Sequence, residues 1–322
     1  MRPTLVIVNH VAAKARRALP RVRALLERSG LQVDFHETTH AGDATARTRA
    51  ALRDHYQTIA VLGGDGTLSE AAEGFFEFSA EAAAAPRAIN PGAALAVLPA
   101  GTGDDFARGL TGKRASLDDW VRKLIVHSQS HDETHTRQVD VIYGRSNNFT
   151  LPFICLNAST LGIGGETGAR VAAQGDFMRR FSGETRFLLA AAGAVAKWRE
   201  RRVHIVVDNE TLADEPMNLV AIANNAYAGA GMMLSPKAII DDGKLDVVIA
   251  SHLTRVNVIR ELPRIHSGGH VANPKVKIKQ GSYARIETFA EGDALPIEAD
   301  GNVRGHTPAD YRVIPAALKF VV

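Results

Sequence analysis

The sequence predicts a two-domain protein, with an α/β domain built on a doubly wound parallel sheet and a second, β-rich domain of the sandwich type. The chain has 322 residues, which is ample for two domains of about 100–200 residues each. Short apolar runs alternate with helix-like segments up to about residue 130, and strand-like segments dominate beyond it. We therefore expect the first domain to cover 1–137, with 308–322 returning to it, and the second domain to cover 138–307.

Alternating elements define the first domain. Three apolar runs, over residues 5–9, 59–62 and 95–98, have the character of buried parallel strands, which are apolar on both faces. Residues 31–37 alternate between apolar and polar side chains, as a further strand does. Residues 14–28 and 43–54 have helical spacing, and a further helix is expected from the third strand to about Phe78. This order predicts parallel strands joined by helical crossovers.

Three further parts of the chain have their own expectations: an Ala-rich segment, a polar stretch and the second domain. The Ala-rich segment 79–94 is expected to be an enlarged loop. The polar stretch from His127 to Arg137 carries three histidines, and its lack of a fixed ligand spacing favours a solvated linker over a metal site. In the second domain we expect a helix over 184–200 and strands over 151–158, 202–208, 217–224, 245–251, 275–279 and 283–289.

The composition limits the class of protein. Hydrophobic residues make up 45% of the chain and charged residues 23%, a balance typical of a folded globular protein. The formal net charge of +3 suits an acidic ligand or an anionic membrane surface and decides between neither. The single cysteine, Cys155, excludes an internal disulfide, which favours a reducing compartment such as the cytoplasm, and its apolar neighbours favour a buried role. No apolar run approaches the roughly 18 residues that cross a bilayer, so we expect a protein that touches a membrane at most peripherally.

The most informative segment is Gly63-Gly64-Asp65-Gly66-Thr67, which follows the third predicted strand and opens a helix. Glycine lets the backbone turn tightly and approach a ligand closely. The helix that follows presents unpaired N–H groups and the positive end of its dipole, both of which favour phosphate. Thr67 is suited either to cap this helix or to bond a phosphate oxygen. The pattern favours nucleotide binding over an ordinary β-to-α turn.

A second glycine-rich turn, Gly101-Thr102-Gly103, follows the fourth predicted strand and leads into Asp104 and Asp105. Ligands of open α/β sheets bind at such carboxyl ends. The two carboxylates suit either Mg²⁺, which prefers oxygen ligands, or the capping of the next helix. The P-loop pattern is absent from the sequence, and no Gly-x-Gly-x-x-Gly follows the first strand, so neither of these phosphate-binding motifs applies.

Together the two turns resemble the hallmarks of the diacylglycerol kinase catalytic-domain family, Gly-Gly-Asp-Gly-Thr and Pro-x-Gly-Thr-x-Asn-Asp-Phe-Ala. That family includes bacterial lipid kinases and sphingoid-base kinases. The resemblance continues in order along almost the whole chain. Further matching positions are Asn9, Thr38, 42–44, Asp140, 224–225, 231–232, 235–238, 241–246, 300–301 and 307–308.

The resemblance implies ATP as a cofactor, with contacts from the two turns and nearby positions, namely Asn9, Thr38, Gly63, Gly64, Asp65, Gly66, Thr67, Glu70, Gly101 and Thr102. It also implies a network of Mg²⁺ and water at Asp65, Asp105 and Asp140. A structural Mg²⁺ or Ca²⁺ would bind the Asp242 carboxylate and the carbonyl oxygens of Ile239 and Lys244. The implied reaction is phosphoryl transfer from ATP to a hydroxyl group of a lipid at the membrane surface. That lipid would be diacylglycerol, phosphatidylglycerol or a sphingoid-like lipid, with no nucleic-acid partner and with room for a homodimer.

The sequence departs from the family pattern at positions that matter for catalysis. Asn302 stands where the family has the glutamate that accepts the proton, and an amide cannot take up a proton at neutral pH. Asp300, two residues earlier, is the nearest substitute, unless it only shapes the turn at Gly301; Glu298 lies one step further away. Asp104 replaces the family's asparagine and adds a negative charge near phosphate.

Two alternatives remain open at this point. A NAD kinase, whose family shares Gly-Gly-Asp-Gly-Thr, is disfavoured by the segments 99–108 and 241–246. A nucleotide- or lipid-binding protein that has lost catalysis is favoured by Asn302 and Asp104.

Overall fold

The computed structural model describes residues 3–79, 84–130, 134–147, 151–175, 177, 178, 181 and 183–322. The chain divides into two compact units, the first comprising Met1–Val141 with Ile314–Val322 and the second comprising Ile142–Val313. These divisions differ from the expected bounds of 137 and 308 because a strand runs across each of them. The strands are Thr136–Asn147 and Asn302–Val321.

A set of parallel strands forms the sheet of the first unit. The strands up to the first division are β1 (Thr4–Val8), β2 (Val33–Glu37), β3 (Thr58–Gly63), β4 (Phe76–Glu77), β5 (Arg87–Ala88), β6 (Ala94–Pro99) and β7 (Thr136–Asn147). Parallel pairings join β2 to β1, β1 to β3 and β3 to β6, and Lys319–Phe320 pairs in parallel with Ala94–Leu95 of β6. Every residue of β1 and β3 is buried, as the apolar runs predict.

Among the residues that the structure describes, the helices that connect these strands are α1 (Ala13–Arg28), α2 (Asp43–Arg53), α3 (Asp65–Glu73), α4 (Asp105–Thr111) and α5 (Leu117–Gln129). Because the strands are parallel, their carboxyl ends lie at one edge of the sheet, and the loops to the helices follow from that edge. The predicted helix to Phe78 is wrong at its end, since α3 stops at Glu73. Gly74 packs so closely on α2 that a Cβ there would lie 2.6 Å from the Cβ of Thr48, and β4 then pairs with β5.

Two segments of the first unit differ from what the sequence predicts. The segment 79–94 contains β5 and the first residue of β6 as well as loop, and its residues 80–83 lie outside the described residues. His127 was expected in a solvated linker, and that prediction is wrong, because the residue lies on α5 and is completely buried. The rest of that stretch includes residues 131–133, which are also outside the described part of the chain.

Antiparallel strands build the second unit. They are β8 (Phe153–Cys155), β9 (Ala158–Gly162), β10 (Arg201–Val207), β11 (Glu210–Ala223), β12 (Leu245–Ser251), β13 (Val276–Gly281), β14 (Tyr283–Thr288), β15 (Pro296–Ala299) and β16 (Asn302–Val321). Their order is β13-β12-β11-β10-β14-β16, and β9 pairs with both β11 and β15. Alternate residues such as Val203 and Ile205 enter one apolar core with Cys155, whose predicted burial is confirmed.

The described residues of the second unit include the α-helices α6 (Ile163–Ala172), α7 (Gly183–Lys197) and α8 (Arg255–Ile265). Among the described residues, no helix combines the length and the apolar character that crossing a membrane requires. Helix α6 lies close against β9 and β15 through glycines. A Cβ at Gly165 would lie 2.0 Å from the carbonyl oxygen of Pro296, and a Cβ at Gly168 would lie 2.5 Å from Cγ of Glu298. No side chain fits between the helix backbone and these strands.

Alanine at Gly165 is therefore expected to lower the free energy of unfolding by about 1–3 kcal/mol, the usual cost of overpacking. Gly193 on α7 is the matched control, because the atom nearest to an added Cβ is 3.7 Å away. Gly193→Ala should raise the free energy of unfolding by up to about 1 kcal/mol through helix propensity. Urea unfolding measures both values, and equal effects of the two substitutions would contradict the close packing of α6.

Candidate active site

The two glycine-rich turns touch each other backbone to backbone. The first follows β3 and the second follows β6, and the N–H of Ala100 donates to the carbonyl oxygen of Gly63 at 2.9 Å. A Cβ on Gly101 would lie 2.6 Å from Cα of Gly64, and a Cβ on Gly64 would lie 3.2 Å from Cα of Gly101. Glycine at both positions therefore lets the two turns approach each other backbone to backbone.

Asp65 ties the first turn to the second. It is the first residue of α3, after Gly64 as the N-cap. Its two carboxylate oxygens accept hydrogen bonds from the backbone N–H groups of Asp105 at 3.1 Å and Phe106 at 3.0 Å. Asp65 therefore supplies acceptors to the first two residues of α4, which have no partners within their own helix.

Asn9 orients Thr67. The side-chain amide of Asn9 donates to Oγ1 of Thr67 at 2.7 Å, and its Oδ1 accepts from the N–H groups of Val11 and Ala12 at 3.0 and 3.1 Å. The Thr67 oxygen thus serves as an acceptor, which leaves its hydroxyl proton for donation. Since Gly64 is the N-cap of α3, the capping role considered for Thr67 is not the one observed.

Thr38 and Glu70 hold the loop that follows β2. The backbone N–H of Thr38 donates to the carbonyl oxygen of Val8 at 2.9 Å, and its hydroxyl donates to the same oxygen at 3.3 Å. The Glu70 carboxylate on α3 accepts from the N–H of Gly42 at 3.0 Å. These bonds bring the loops after β1, β2 and β3 together at one edge of the sheet, with the exposed Thr102 in the turn after β6.

Acidic residues surround the second turn. Asp104 has left-handed backbone geometry at φ 51° and accepts the N–H of Gly101 at 2.8 Å. Burial raises the pKa of the Asp104 carboxyl above its usual range, and the negative charge of Asp65 adds to this shift. The Lys14 ammonium donates to the carbonyl oxygen of Gly101 at 2.9 Å and partly offsets the rise in pKa. Lys14 went unnoticed in the sequence, because it begins an amphipathic helix and belongs to no motif.

Asp105 and Asp140 are both buried in the first unit. Asp140 accepts the backbone N–H of Ala316 at 2.7 Å and so holds the segment that leads into the last parallel strand. Oxygen donors of this kind suit Mg²⁺, which carries water and binds through one or two carboxylates. Among the described residues, Asp65, Asp105 and Asp140 do not form a cluster of three side chains that could hold a metal by themselves, so Mg²⁺ here would bind through one or two carboxylates and water.

In the second unit, Asp300 and Gly301 form a two-residue hairpin turn between β15 and β16. Their φ angles of 47° and 87° are those of a type I′ turn, for which Asp-Gly is a preferred pair. The Asp300 carboxylate accepts from the N–H groups of Leu156 at 2.6 Å and Asn157 at 3.0 Å. Asp300 thereby joins this hairpin to the connection between β8 and β9.

Glu298 and Asn302 flank this turn. Glu298 accepts the Thr160 hydroxyl at 2.7 Å and the backbone N–H of Gly301. Burial raises the pKa of Glu298 to about 7, against the lowering effect of both hydrogen bonds. The amide nitrogen of Asn302 is buried and has no hydrogen-bond partner among the described residues.

The expected structural metal site falls in the turn before β12. Asp242 accepts the backbone N–H of Lys244 at 3.0 Å, and Gly243 has a φ of 71°. Within the described ranges, no cluster of three or more His, Cys, Asp or Glu side chains is present that could hold a metal. The ligands expected there, one carboxylate and the carbonyls of Ile239 and Lys244, are all oxygens, the donor type that a hard cation prefers.

Known proteins resemble the chain over nearly its whole length. The diacylglycerol kinase catalytic domain matches residues 3–142, and the YegS C-terminal NAD kinase beta sandwich-like domain matches residues 162–322. A protein of Staphylococcus carnosus (strain TM300) named diacylglycerol kinase is 25% identical over 95% of this chain and 90% of its own. A protein of Shewanella frigidimarina (strain NCIMB 400) named as a YegS-like lipid kinase is 24% identical over 92% and 86%.

The fold is also that of a solved structure. A diacylglycerol kinase from Bacillus anthracis str. Sterne covers 99% of this chain and 96% of its own, with a TM-score of 0.68 and 20% sequence identity. The two matching domain models account for both units and for the two glycine-rich turns. The chain therefore belongs to the diacylglycerol kinase catalytic-domain family and is a lipid kinase, a phosphotransferase that acts on an alcohol group.

Proposed function

We propose that this lipid kinase uses ATP with Mg²⁺ and phosphorylates a hydroxyl group of a diacylglycerol-, phosphatidylglycerol- or sphingoid-like lipid. The observation that carries this proposal is the backbone contact of Gly64 with Gly101, at neighbouring strand ends that Asp65 links. Backbone N–H groups at the start of a helix favour phosphate oxygens. The parallel pairings of β1, β2, β3 and β6 support the doubly wound arrangement expected for this unit.

In this proposal, different residues bind the phosphates, position the loops and hold Mg²⁺. The turns at Gly63–Thr67 and Gly101–Thr102 hold the phosphates, while Asn9, Thr38 and Glu70 fix the loops around them. Lys14 adds a positive charge beside the second turn. Asp65, Asp105 and Asp140 would hold Mg²⁺ directly or through water, and the ion would neutralise phosphate charge during transfer.

An exposed apolar surface supports action at a membrane. We name six side chains on or just before α7 and on α8 the apolar patch: Phe177, Phe181, Leu188, Leu189, Val256 and Ile259. Helix α8 contacts α7 and has no buried residue. The same helix carries Arg255, Arg260 and Arg264 against a single Glu261. Apolar side chains beside arginines suit an anionic lipid surface, to which each basic residue adds about 1 kcal/mol.

A radiolabelled-ATP assay tests the proposal directly. Transfer of label to a total lipid extract, with none to NAD⁺ alone, is the expected result. Label on NAD⁺ would favour a NAD kinase. Binding of ATP without transfer to any lipid would favour a binding protein that has lost catalysis, an alternative that the buried amide of Asn302 motivates.

Asp65→Asn should lower turnover by roughly 100-fold or more, since a metal network supplies several kcal/mol of transition-state stabilisation. The amide oxygen keeps one of the two hydrogen bonds at the start of α4 and the amide nitrogen loses the other, so the melting temperature should fall modestly without loss of the fold. Alanine is the poorer choice, because it would leave the N–H groups of Asp105 and Phe106 without this acceptor. The control is Asp54→Asn, at an exposed aspartate of the same unit. Unchanged turnover in Asp65→Asn would refute the site.

Asp242→Ala should lower the melting temperature and remove any rise in it on addition of Mg²⁺ or Ca²⁺. The carboxylate is the only charged ligand of the proposed set, so its loss should abolish cation binding. Asp241→Ala, at the exposed neighbouring residue, is the matched control and should keep the response to cations. Melting curves that respond to neither chelator nor Asp242→Ala would make the turn an ordinary one.

Leu188→Glu and Ile259→Glu should each weaken binding to phosphatidylglycerol vesicles by about tenfold or more, since a buried Leu or Ile side chain is worth about 1.5–3 kcal/mol. These side chains are 63% and 58% exposed, so the substitutions should not disturb the fold. Val126→Glu on α5, at a valine that is 45% exposed in the other unit, is the control. Co-sedimentation that the two patch substitutions leave unchanged would exclude this surface from membrane contact.

A further inference from the structure

A short loop joins β2 to α2 in the first unit, beside the first glycine-rich turn. It covers residues 38–42 and leads into Asp43, the first residue of α2. Its first residue, Thr38, is hydrogen-bonded to the end of β1, and its last residue, Gly42, is hydrogen-bonded to the Glu70 carboxylate on α3. Both ends of the loop are therefore fixed at the edge of the sheet where the glycine-rich turns lie.

The Asp43 carboxylate holds the middle of this loop. Its Oδ2 accepts the backbone N–H of Thr39 at 2.8 Å and the Thr39 hydroxyl at 3.0 Å, and its Oδ1 accepts from Nε2 of His36 on β2 at 3.1 Å. Burial alone would raise the pKa of Asp43, but the hydrogen bonds from Thr39 and His36 outweigh burial and lower this pKa below its usual range. An ionised carboxylate only accepts hydrogen bonds, so the single proton of the Thr39 hydroxyl is donated to Asp43.

The direction of the Thr39 proton fixes the tautomer of His40. Nδ1 of His40 lies 2.8 Å from the hydroxyl oxygen of Thr39. Because the hydroxyl proton is donated to Asp43, the proton in this contact belongs to Nδ1, which donates it to Thr39. In a neutral imidazole the other nitrogen then carries a lone pair, so Nε2 of His40 is a hydrogen-bond acceptor.

This acceptor is available to a ligand. The His40 side chain is exposed, and no donor among the described residues is hydrogen-bonded to its Nε2. A carbon atom separates the two nitrogens of the ring, so Nε2 points away from Thr39. The loop therefore presents one acceptor of fixed type at the edge of the sheet.

The order of the strands places His40 to one side of the two glycine-rich turns. The strands follow one another as β2-β1-β3-β6, with about 4.8 Å between neighbours. The loop that carries His40 follows β2, two strands away from β3, so about 10 Å separates the ends of these strands. A nucleotide whose phosphates occupy the turns after β3 and β6, and whose sugar lies over the loop after β1, brings its base to the loop after β2.

We propose that His40 recognises the base of the nucleotide, with its Nε2 accepting a hydrogen bond from the amino group of adenine, and that Thr39 positions the ring. The inference rests on the proposed function, in which the phosphates of ATP bind the two turns. Adenine has an amino group at position 6, a donor, where guanine has a carbonyl oxygen, an acceptor. An acceptor on the protein repels that oxygen, so the loop favours ATP over nucleotides of the 6-oxo purines.

Isothermal titration calorimetry of the full chain, with Mg²⁺ and without lipid, compares ATP with inosine triphosphate, which has the 6-oxo group and lacks the 2-amino group of guanine. The wild type should bind ATP about tenfold more tightly, since one hydrogen bond is gained and one repulsion is avoided. His40→Ala should reduce this preference to about twofold or less by weakening the binding of ATP. His266→Ala, at an exposed histidine that ends α8 in the second unit, is the control and should keep the preference.

Substitutions of Thr39 separate recognition of the base from a structural role of the loop. Thr39→Val removes the hydroxyl that holds Nδ1 of His40, and it should lower the preference for ATP by about threefold or more. Thr39→Ser keeps the hydroxyl and should retain the preference. Thr39 is exposed, so neither substitution should disturb the fold, which the melting temperature checks. An equal loss of affinity for both nucleotides in Thr39→Val would assign the loop a structural role alone and overturn the proposal.

A third nucleotide, 2′,3′-dideoxy-ATP, distinguishes the base from the sugar, whose hydroxyl groups are also donors. His40→Ala should weaken the binding of ATP and of 2′,3′-dideoxy-ATP by the same factor. Loss of affinity for ATP alone would place His40 at the sugar and overturn the proposal, as would a wild type that binds ATP and inosine triphosphate equally. A chain that binds neither of these two nucleotides would refute the proposed use of ATP itself, whereas equal binding of both refutes only the recognition of the base.

Discussion

The backbone contact between Gly64 and Gly101 is the constraint on which the first unit's site depends. An added Cβ at Gly101 would lie 2.6 Å from Gly64, which leaves no room for a side chain, and one at Gly64 would lie 3.2 Å from Gly101, which would have to give way. The contact brings the ends of β3 and β6 together, and Asp65 then spans from one turn to the start of α4. Asn9 and Thr38 reach this region from the loops after β1 and β2, and Glu70 reaches it from α3. A ligand at these turns would therefore meet backbone and hydroxyl donors whose directions are already fixed, which lowers the entropic cost of binding.

Glycines also allow a close backbone approach in the second unit, between α6 and the strands beneath it. Helix α6 carries Gly164 and Gly165 in its first turn; the close approach of Gly164 to Thr160 places it on β9, and those of Gly165 to Pro296 and Gly168 to Glu298 place it on β15. The backbone of α6 at Gly168 covers the stem of Glu298 as a result. The packing of α6 on β15 thus contributes to the raised pKa of Glu298, because desolvation is the main cause of that shift.

The sequence predicts the first unit's strands well, because buried parallel strands appear as apolar runs and their loops carry recognisable glycines. It also predicts the family and the residues of both turns. Sequence-based predictions are wrong where tertiary contacts decide where a helix ends or which residues are buried. The early end of α3 at Glu73 depends on the packing of Gly74 against Thr48. Burial of His127 depends on the face of α5 that meets the sheet.

Helices α6 and α8 were missed for different reasons. The glycine content of α6 conceals its helical character, since glycine is a poor helix former, and only the close approach to Pro296 explains it. No residue of α8 is buried, so it depends little on an apolar stripe facing the core. Spacing along the chain makes Asp300 the nearer substitute for the family's carboxylate and Glu298 the weaker one. A two-residue period gives both the same face of a strand, whereas the type I′ turn removes Asp300 from the strand and directs its oxygens to Leu156 and Asn157.

The passage of β16 through both units has a consequence for how the protein is made. Residues 319 and 320 complete the parallel sheet of the first unit beside β6, yet they follow the entire second unit along the chain. During synthesis the edge of β6 stays unpaired while the whole second unit is translated. Pairings of such long sequence separation form slowly, and open strand edges attract other chains in the meantime. The segment after Val313 thus acts as a closing strand, and the ribosome delivers it last among the elements that this sheet requires.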